Sequence, residues 1–249
     1  MKKLEGKIAV ITGGNSGIGL ATAQLFKTEG ATVVVTARAK ETFDKAKNEL
    51  GEKFDIIQTD VARLSDIENL YKHIKTKYGK IDILFANAGI AHFLPTEQVD
   101  ETFFDSQFDT NVKGLYFTVS KALPLLSQGA KIVLNSSTLS SKGLVGGSVY
   151  SGTKAAVRSF ARAWAAELAP RQIRVNVVSP GPVDTPIYGK MKMSEEQMKS
   201  FATTVLNTTP LHRFASAEEL ARTVLFLASD DSSFMTGAEI VADGGFGQV

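Results

Sequence analysis

The sequence of 249 residues contains no cysteine, which excludes disulfide bonds, thiolate nucleophiles and cysteine-ligated zinc. It has only three histidines, His73, His92 and His212, and their spacing matches no metal-ligand pattern, so we predict no metal site. An excess of charge of one sign is also lacking, because 28 basic residues and 26 acidic residues give a net charge of +2. This balance provides no electrostatic argument for a nucleic-acid partner or an acidic membrane surface.

Long hydrophobic runs are absent as well, since no apolar stretch reaches the ~18 residues of a membrane span. The first residues, Met1-Lys-Lys-Leu-Glu5, lead directly into an apolar strand, so we expect no signal peptide. Hydrophobic residues nevertheless make up 43% of the chain, enough for a sizeable core. These features predict a soluble, cytoplasmic protein with no membrane partner.

Apolar runs and helix-length segments alternate along the whole chain. The predicted strands are Ile8–Ile11, Thr32–Thr36, Phe54–Gln58, Ile81–Ala86, Lys131–Asn135, Ile173–Val178 and Glu239–Val241. The predicted helices cover residues 18–29, 41–50, 66–78, 101–126, 150–168 and 217–229. Strict alternation is typical of a parallel sheet with helices on both faces. We therefore predict an α/β fold, a doubly wound parallel sheet (Rossmann fold), as a single domain over residues 1–249, with a substrate-loop insertion at about 184–210.

The first strand runs into a glycine-rich turn that opens a helix, Thr12-Gly-Gly-Asn-Ser-Gly-Ile-Gly19. In such a turn, backbone N–H groups and the positive end of the helix dipole bind a pyrophosphate. The spacing of Gly13, Gly17 and Gly19 differs from the G-x-G-x-x-G fingerprint of dinucleotide sites. On this stretch alone, an ordinary βα turn remains the alternative.

The residues after the second strand bear on the choice of dinucleotide. A site for NAD places Asp or Glu about 20 residues beyond the glycines, but this chain has Thr36, Ala37 and Arg38 there. An arginine can pair with the 2′-phosphate of NADP(H). We therefore predict NADP(H) as the cofactor, the alternative being that Arg38 is a solvated residue at the start of a loop.

Polar and small residues follow the next two predicted strands. Asp60 and Val61 come after the third, and Asn87, Ala88 and Gly89 after the fourth. Ligands bind at the carboxyl ends of strands in open α/β sheets, so these residues are candidates for cofactor contacts. Each motif alone is equally typical of a turn or a helix cap.

Tyr150 and Lys154 are four residues apart and project from one face of a predicted helix. A lysine ammonium near a phenol lowers the pKa of the phenol. A tyrosine tuned in this way can act as general acid or base on a carbonyl/alcohol pair. A serine of the pair Ser136-Ser137 can hold the same oxygen. By itself, the Tyr-x-x-x-Lys spacing is more often an ordinary pair on a helix surface.

Taken in order, these motifs resemble those of the short-chain dehydrogenase/reductase family along nearly the whole chain. The resemblance is carried by Thr12-Gly-Gly-Asn-Ser-Gly-Ile-Gly19, Asp60-Val61, Asn87-Ala-Gly89, Asn111, Ser137, Tyr150-x-x-x-Lys154, Pro180-Gly181, Phe226-Leu-Ala-Ser-Asp230, Thr236-Gly237 and Asp243-Gly-Gly245. In that family the glycine motif is Thr-Gly-x-x-x-Gly-x-Gly, which this chain has.

The resemblance implies four catalytic residues. Tyr150 is expected to be the general acid in reduction, and Ser137 to orient and polarise the substrate carbonyl. The family spacing favours Ser137 over Ser136, because Tyr150 lies 13 residues after Ser137. Lys154 is expected to bind the nicotinamide ribose and to lower the pKa of Tyr150. Asn111 is expected to hold a water of the proton relay through its effect on helix geometry.

The same resemblance implies a set of cofactor contacts spread along the chain. They are Gly13, Asn15, Ser16, Gly17, Ile18, Gly19, Arg38, Asp60, Val61, Asn87, Ala88, Gly89, Tyr150, Lys154, Pro180, Gly181, Val183 and Thr185. Ser16 stands where some NADP(H)-dependent members carry a basic residue, so Arg38 must hold the 2′-phosphate largely alone. Thr185 matches the position that contacts the nicotinamide carboxamide.

The substrate end is expected to be closed by residues 139–147 and by the loop from Asp184 to about Pro210. The bulky side chains there favour an apolar or mixed carbonyl compound over a phosphorylated sugar: Leu144, Val145, Ile187, Tyr188, Met191 and Met193. The long irregular stretch from Ser179 to about Ser194 is typical of a lid or a binding loop. We expect residues 184 to about 206 to be mobile without cofactor and to order over the bound nicotinamide.

We therefore predict an NADP(H)-dependent oxidoreductase that interconverts a ketone or aldehyde and an alcohol. One alternative is a 3-oxoacyl-(acyl-carrier-protein) reductase, in which Arg171 lies at the mouth of the site and docks the acidic carrier. An alternative of another class is a non-catalytic, NADP(H)-binding regulatory protein.

Two predicted helical stretches, residues 112–126 and 155–169, are apolar on most faces. One face of such a helix can pack on the sheet, and the other needs a partner, either inside one large domain or in a second subunit. We interpret them as a dimer interface. The resemblance extends this interpretation to a homotetramer, with residues 239–241 and 244–249 in a second interface.

Overall fold

The strands form one parallel sheet of seven. The computed structural model describes residues 2–39, 43–44, 51, 54–190 and 195–249. The strands are β1 (Ile8–Ile11), β2 (Thr32–Ala37), β3 (Asp55–Gln58), β4 (Ile81–Ala86), β5 (Leu126–Asn135), β6 (Arg174–Pro180) and β7 (Glu239–Ala242). Their order is β3-β2-β1-β4-β5-β6-β7. Successive strands are added to one side of β1 up to β3 and to its other side from β4 onward, so the strand order reverses between β1 and β4. An open sheet binds its ligands at such a switch point.

Helices cover both faces of the sheet. They are α1 (Gly17–Thr28), α2 (Leu64–Lys77), α3 (Glu101–Phe108), α4 (Leu115–Ala122), α5 (Ser148–Leu168), α6 (Glu195–Thr208) and α7 (Ala217–Ala228). Apolar residues of α2, α4 and α5 form the core on one face, and those of α1 and α7 form the core on the other. The predicted doubly wound, single-domain Rossmann fold is therefore confirmed. Along the described ranges, no helix is long and apolar enough to span a membrane.

The helix predicted over residues 101–126 is shorter and interrupted. A π-helical turn, Asp109–Gly114, separates α3 from α4, and α4 ends at Ala122. Pro124 explains the early end, because a proline has no N–H to donate to the carbonyl group one turn earlier in the helix. The chain then enters β5 at Leu126, five residues earlier than predicted. The predicted helix over 41–50 lies outside the described residues, except for 43–44.

The segment after β6 is more regular than the sequence predicts. A short 3-10 turn covers Tyr188–Lys190, and helix α6 follows from Glu195. Residues 191–194, with Met191 and Met193, lie outside the described part of the chain. The predicted substrate-loop insertion thus carries a helix of 14 residues beside the carboxyl ends of the strands.

Candidate active site

A cleft of about 760 Å³ lies at the carboxyl ends of the parallel strands. Residues that directly follow β1, β2, β3, β4, β5 and β6 all contribute to its lining. Every residue predicted to contact the cofactor lines this cleft. Asn111 and Ser137 are buried, with exposed fractions of 1% and 8%, and both make hydrogen bonds to residues that line it. The fold therefore brings together residues that are up to 172 positions apart in the chain, from Gly13 to Thr185.

The glycine turn after β1 is closed by contacts that leave no room for side chains. A Cβ atom on Gly19 would lie 2.3 Å from the carbonyl oxygen of Gly13. Gly13 itself has φ +65°, a conformation that favours glycine. The backbone N–H of Gly13 donates to Thr36 Oγ1 at 3.2 Å, which ties the turn to the end of β2. Helix α1 can therefore start directly against strand β1.

The N-terminus of α1 is suited to an anion. Ser16, the N-cap residue, makes no capping hydrogen bond with its side chain, and the first turn contains no acidic residue. The first N–H groups of a helix have no partner within the helix, and the helix dipole adds partial positive charge there. Ser16, Gly17 and Ile18 all line the cleft. This arrangement fits the pyrophosphate of a dinucleotide.

Asparagine side chains connect the ends of three strands beneath the cleft. Asn87 donates from Nδ2 to the carbonyl oxygens of Thr12 at 2.9 Å and Gly13 at 3.2 Å. Asn135 donates to Asn87 Oδ1 at 2.9 Å. The backbone N–H groups of Asn87 and Ala88 both donate to Thr12 Oγ1. The glycine turn is thereby fixed against the ends of β4 and β5.

Asn111 lies in the π-helical turn between α3 and α4. Its side chain pairs with the backbone of Ile90, accepting from the N–H at 2.9 Å and donating to the carbonyl at 2.8 Å. It also donates to Thr153 Oγ1 at 3.1 Å, one residue before Lys154 on α5. Asn111 therefore joins the loop after β4 to the helix that carries Tyr150 and Lys154.

Ser137, Tyr150 and Lys154 form a cluster where β5 ends and α5 begins. The Ser137 hydroxyl lies close enough to the Tyr150 phenol to act to lower its pKa. The Lys154 ammonium donates to the carbonyl oxygen of Asn135 at 2.9 Å and lies 5.7 Å from the centre of the Tyr150 ring. The hydroxyl of Ser136 instead donates to the carbonyl oxygen of Lys154 at 2.9 Å. Of the two neighbouring serines, Ser137 is thus the one beside the phenol.

Burial controls the protonation of this cluster. Burial raises the pKa of Tyr150 to about 12, although Ser137 acts to lower it. Burial also lowers the pKa of Lys154 from 10.5 to about 8. The sequence led us to expect a phenol whose pKa is lowered by Lys154, whereas in this structure burial raises it. At pH 7 the phenol therefore carries its proton and Lys154 is mostly charged.

Arg38 and Asp60 lie at the far end of the cleft from this cluster, in positions set by β2 and β3. The Arg38 side chain is exposed at the rim. Among the residues that the structure describes, no carboxylate forms an ion pair with it. Asp60 Oδ1 accepts a hydrogen bond from the backbone N–H of Ala62 at 3.0 Å. Asp60 therefore also stabilises the turn after β3, which was the alternative interpretation of its motif.

The substrate end of the cleft is apolar and aromatic. As predicted, Leu144, Ile187 and Tyr188 line it, whereas Val145 is 94% exposed and is not part of the lining. Further lining residues were not singled out from the sequence: His92, Phe93, Lys142, Phe201 and Phe246. Lys142 and Phe201 lie within the two ranges predicted to close the substrate end, and His92 and Phe93 follow Asn87-Ala-Gly89 closely. The ring of Phe93 lies 5.6 Å from that of Tyr150.

Arg171 does not lie at the mouth of the site, and that prediction was wrong. Its guanidinium donates to the carbonyl oxygens of Leu123 at 3.0 Å and Leu126 at 2.6 Å, where β5 begins. The amino ends of parallel strands lie on the edge opposite the cleft. Arg171 therefore connects the residue that follows α4 with the first residue of β5.

Known proteins resemble this chain over nearly its full length. The profile of a family described as Enoyl-(Acyl carrier protein) reductase matches residues 13–247. The oxidoreductase asL5 of Sarocladium schorii is 41% identical over 100% of this chain and 99% of its own length. The 3-oxoacyl-(acyl-carrier-protein) reductase of Thermotoga maritima is 38% identical over 98% of both chains. The structure of a 3-ketoacyl-(acyl-carrier-protein) reductase from Brucella melitensis, complexed with NADH, matches with a TM-score of 0.88 at 31% identity, covering 98% of this chain and 99% of that one.

A cleft at the switch point of a parallel sheet defines the broad class, a doubly wound α/β protein that binds its ligand at the carboxyl ends of the strands. Together with these matches, it shows that the chain belongs to the short-chain dehydrogenase/reductase family. Members of this family bind nicotinamide cofactors and act on small molecules.

Proposed function

We propose that this protein is an NADP(H)-dependent carbonyl reductase that interconverts a ketone or aldehyde and an alcohol. The observation that carries the proposal is the phenol of Tyr150 in the wall of the cleft, with the buried Ser137 beside it and Lys154 one helical turn further on. A non-catalytic cofactor-binding protein needs no phenol beside a buried serine at this place.

Each catalytic residue has a distinct role in this proposal. A bound nicotinamide supplies the hydride for reduction and accepts it in the reverse reaction. Tyr150 donates its phenolic proton to the oxygen of the substrate as negative charge develops there. Its pKa of about 12 keeps that proton in place at neutral pH. Ser137 donates a hydrogen bond to the same oxygen and so orients the carbonyl.

Lys154 and Asn111 support this pair. The Lys154 ammonium binds the ribose hydroxyls of the cofactor and stabilises developing phenolate charge on Tyr150. Asn111 positions the start of α5 through Thr153 and holds the loop at Ile90. A water of the proton relay beside Asn111 is part of the proposal.

The preference for NADP(H) is based on the end of β2. Ala37 offers no carboxylate for a ribose 2′-OH, and Arg38 is an exposed cation at the rim of the cleft. A charged hydrogen bond to the 2′-phosphate is worth ~1.5–3 kcal/mol, which corresponds to a preference of roughly tenfold to a hundredfold. The relative from Brucella melitensis is described with NADH, so the preference needs a direct test.

The second candidate is a 3-oxoacyl-(acyl-carrier-protein) reductase. The names of the Thermotoga maritima and Brucella melitensis relatives favour it. The position of Arg171 on the opposite edge of the sheet removes the basic residue expected to dock the carrier. Comparing acetoacetyl-(acyl-carrier-protein) with small ketones as substrates separates the two functions, because only a carrier-dependent enzyme discriminates strongly in favour of the protein-bound thioester.

The catalytic assignment is tested by Tyr150→Phe, which removes only the hydroxyl. We expect the turnover of NADPH with a ketone to fall by ~10²-fold or more, while NADPH binding stays within about twofold of the wild type. Tyr78→Phe is the matched control, because that tyrosine lies outside the cleft and its hydroxyl contacts Asp55. Near-normal turnover by Tyr150→Phe would show that another group supplies the proton.

We also propose that the protein assembles as a homotetramer. Helix α5 buries Val157, Ala161 and Trp164 against the sheet, while Ala155 and Ala163 on its other side are exposed. Tyr116 on the neighbouring α4 is exposed as well. A helix with apolar residues on both sides favours burial of the second side in another subunit. The sedimentation velocity of the protein at micromolar concentration tests this proposal.

A further inference from the structure

The segment after β7, residues 243–249, lies between the two parts of the chain that enclose the substrate end of the cleft. One part is the loop from Thr138 to Gly147, which directly follows Ser137. The other is the end of α6 with the turn from Thr209 to His212. We call residues Asp243–Gly247 the C-terminal turn. Its contacts connect these two parts and bring one aromatic ring into the cleft.

The C-terminal turn is held tightly against the loop after Ser137. The Asp243 carboxylate, in a residue that is 7% exposed, accepts the N–H groups of Gly245 at 2.9 Å and Gly247 at 2.8 Å. It also accepts the hydroxyl of Thr138 at 3.4 Å. A Cβ atom on Gly247 would lie only 2.1 Å from Thr138 Cγ2, so this approach requires glycine. The carboxylate therefore shapes the turn and attaches it to the loop.

Lys142 makes a second attachment to the same turn. Its ammonium donates to the carbonyl oxygen of Phe246 at 2.6 Å and lies 4.5 Å from the centre of the Phe246 ring. The first contact holds the backbone, and the second is a cation–π interaction that favours one position of the ring. Lys142 thus holds both the main chain and the side chain of Phe246.

The turn also contacts the other wall of the cleft. The N–H of Leu211 donates to the carbonyl oxygen of Gly244 at 3.2 Å. A Cβ atom on Gly245 would lie 2.7 Å from Pro210 Cγ, and the φ of Gly245 is +89°. A side chain at position 245 would displace Pro210, and one at position 247 would displace Thr138. The C-terminal turn is therefore packed on both sides.

Phe246 is the residue of this turn that reaches the cleft. It lines the cavity, and it is 8% exposed. Thr138, Leu139 and Lys142, which follow Ser137 in sequence, line the cavity as well. A phenyl ring at this place limits how far a substrate can extend beyond a carbonyl group held at Ser137 and Tyr150.

We propose that Phe246 is a specificity-determining residue, held by Asp243 and Lys142 as a fixed wall that limits the size of the substrate. This inference rests on the proposed function, because it concerns the substrate end of the same site. It predicts that an aromatic ketone with one ring fits better than a ketone with two fused rings. It also predicts that the limit is set by the volume of the side chain at position 246.

The experiment compares acetophenone with 2-acetylnaphthalene, two ketones that differ by one fused ring. For Phe246→Ala, we expect the ratio of kcat/KM for the naphthyl ketone over the phenyl ketone to rise about tenfold relative to the wild type. The increase should come mainly from KM of the larger ketone. Phe246→Leu should give an intermediate ratio, because it restores part of the volume. The control is Phe234→Ala, since Phe234 is fully exposed and lies outside the cleft.

Lys142→Met tests the attachment. It removes the ammonium that holds Phe246, so the ratio should rise in the same direction by a smaller factor. The inference is overturned if Phe246→Ala leaves the ratio of kcat/KM unchanged, or if it lowers kcat/KM for both ketones by the same factor.

Binding separates this inference from the proposed function. The same two ketones are titrated by calorimetry into the wild type and Phe246→Ala in the presence of NADP⁺. If the wild type reduces neither ketone but the variant gains affinity for the larger one, the proposed reaction fails and the inference stands. If neither protein binds either ketone, the inference fails as well.

Discussion

Lys154 illustrates a conflict between stability and function that can be measured directly. The residue is 4% exposed, and its ammonium has one hydrogen bond from Nζ, to the carbonyl oxygen of Asn135. Burial lowers its pKa from 10.5 to about 8. Because a pKa shift of one unit corresponds to 1.36 kcal/mol, keeping this amine charged in the folded state at pH 7 costs about 3 kcal/mol of folding stability.

The substitution Lys154→Met removes the charge and keeps most of the length of the side chain. It also removes the hydrogen bond to Asn135, a loss of about 1 kcal/mol. We therefore expect the variant to be about 2 kcal/mol more stable than the wild type at pH 7, while it binds NADPH more weakly and turns over more slowly. A residue retained at a cost to stability is typical of a functional site.

The pH dependence provides the sharper test. Between pH 8 and 10.5 the unfolded chain binds the proton of Lys154 and the native chain does not, so the free energy of unfolding of the wild type rises through this window. The free energy of unfolding of the variant does not rise in this way. Its greater stability relative to the wild type should therefore disappear above pH 10.5. Urea denaturation near pH 7 and near pH 10.5, at one protein concentration, measures both differences.

The control for this experiment is Lys72→Met, at an exposed position on α2. That variant should follow the wild type at both pH values. If Lys154→Met were less stable than the wild type at pH 7, or differed from it equally at both pH values, the buried charge would not be the source of the effect.

Three further predictions concern the cofactor site and the assembly. Gly19→Ala places a methyl group 2.3 Å from the Gly13 carbonyl oxygen, so NADPH affinity should fall by at least about tenfold in a titration followed by fluorescence, whereas Gly152→Ala, at an open position, should leave it unchanged. Ala37→Asp with Arg38→Leu should reverse the preference from NADPH to NADH, and equal or tighter binding of NADH by the wild type would contradict the assignment of Arg38. Ala163→Glu should dissociate or unfold the protein, because a carboxylate buried in an interface has no partner, and sedimentation showing a stable wild-type monomer would refute the proposed interface.

Local patterns in the sequence predicted much of the site. The glycine spacing indicated a tight βα turn, and the i, i+4 spacing of Tyr150 and Lys154 placed both on one helical face. The strict alternation of strands and helices indicated a parallel sheet, whose carboxyl ends bind ligands. Each of these inferences depends on periodicity or turn geometry within a few residues, and short-range geometry is what a sequence specifies most directly.

Other features depended on contacts between distant segments, and only the tertiary structure decided them. Arg171 has no local signal for its position, which follows from its hydrogen bonds to the carbonyl oxygens of Leu123 and Leu126. The protonation of Tyr150 depends on burial by several segments, so its pKa is raised where the neighbouring Lys154 alone predicts a lower value. Phe246 enters the cleft because Asp243 and Lys142, from different parts of the chain, hold it there. The sequence by itself determined the fold class, since this follows from local periodicity, and its resemblance to a known family indicated the candidate catalytic residues. The tertiary structure decided the protonation and the shape of the pocket, since both arise from packing between segments far apart in the chain.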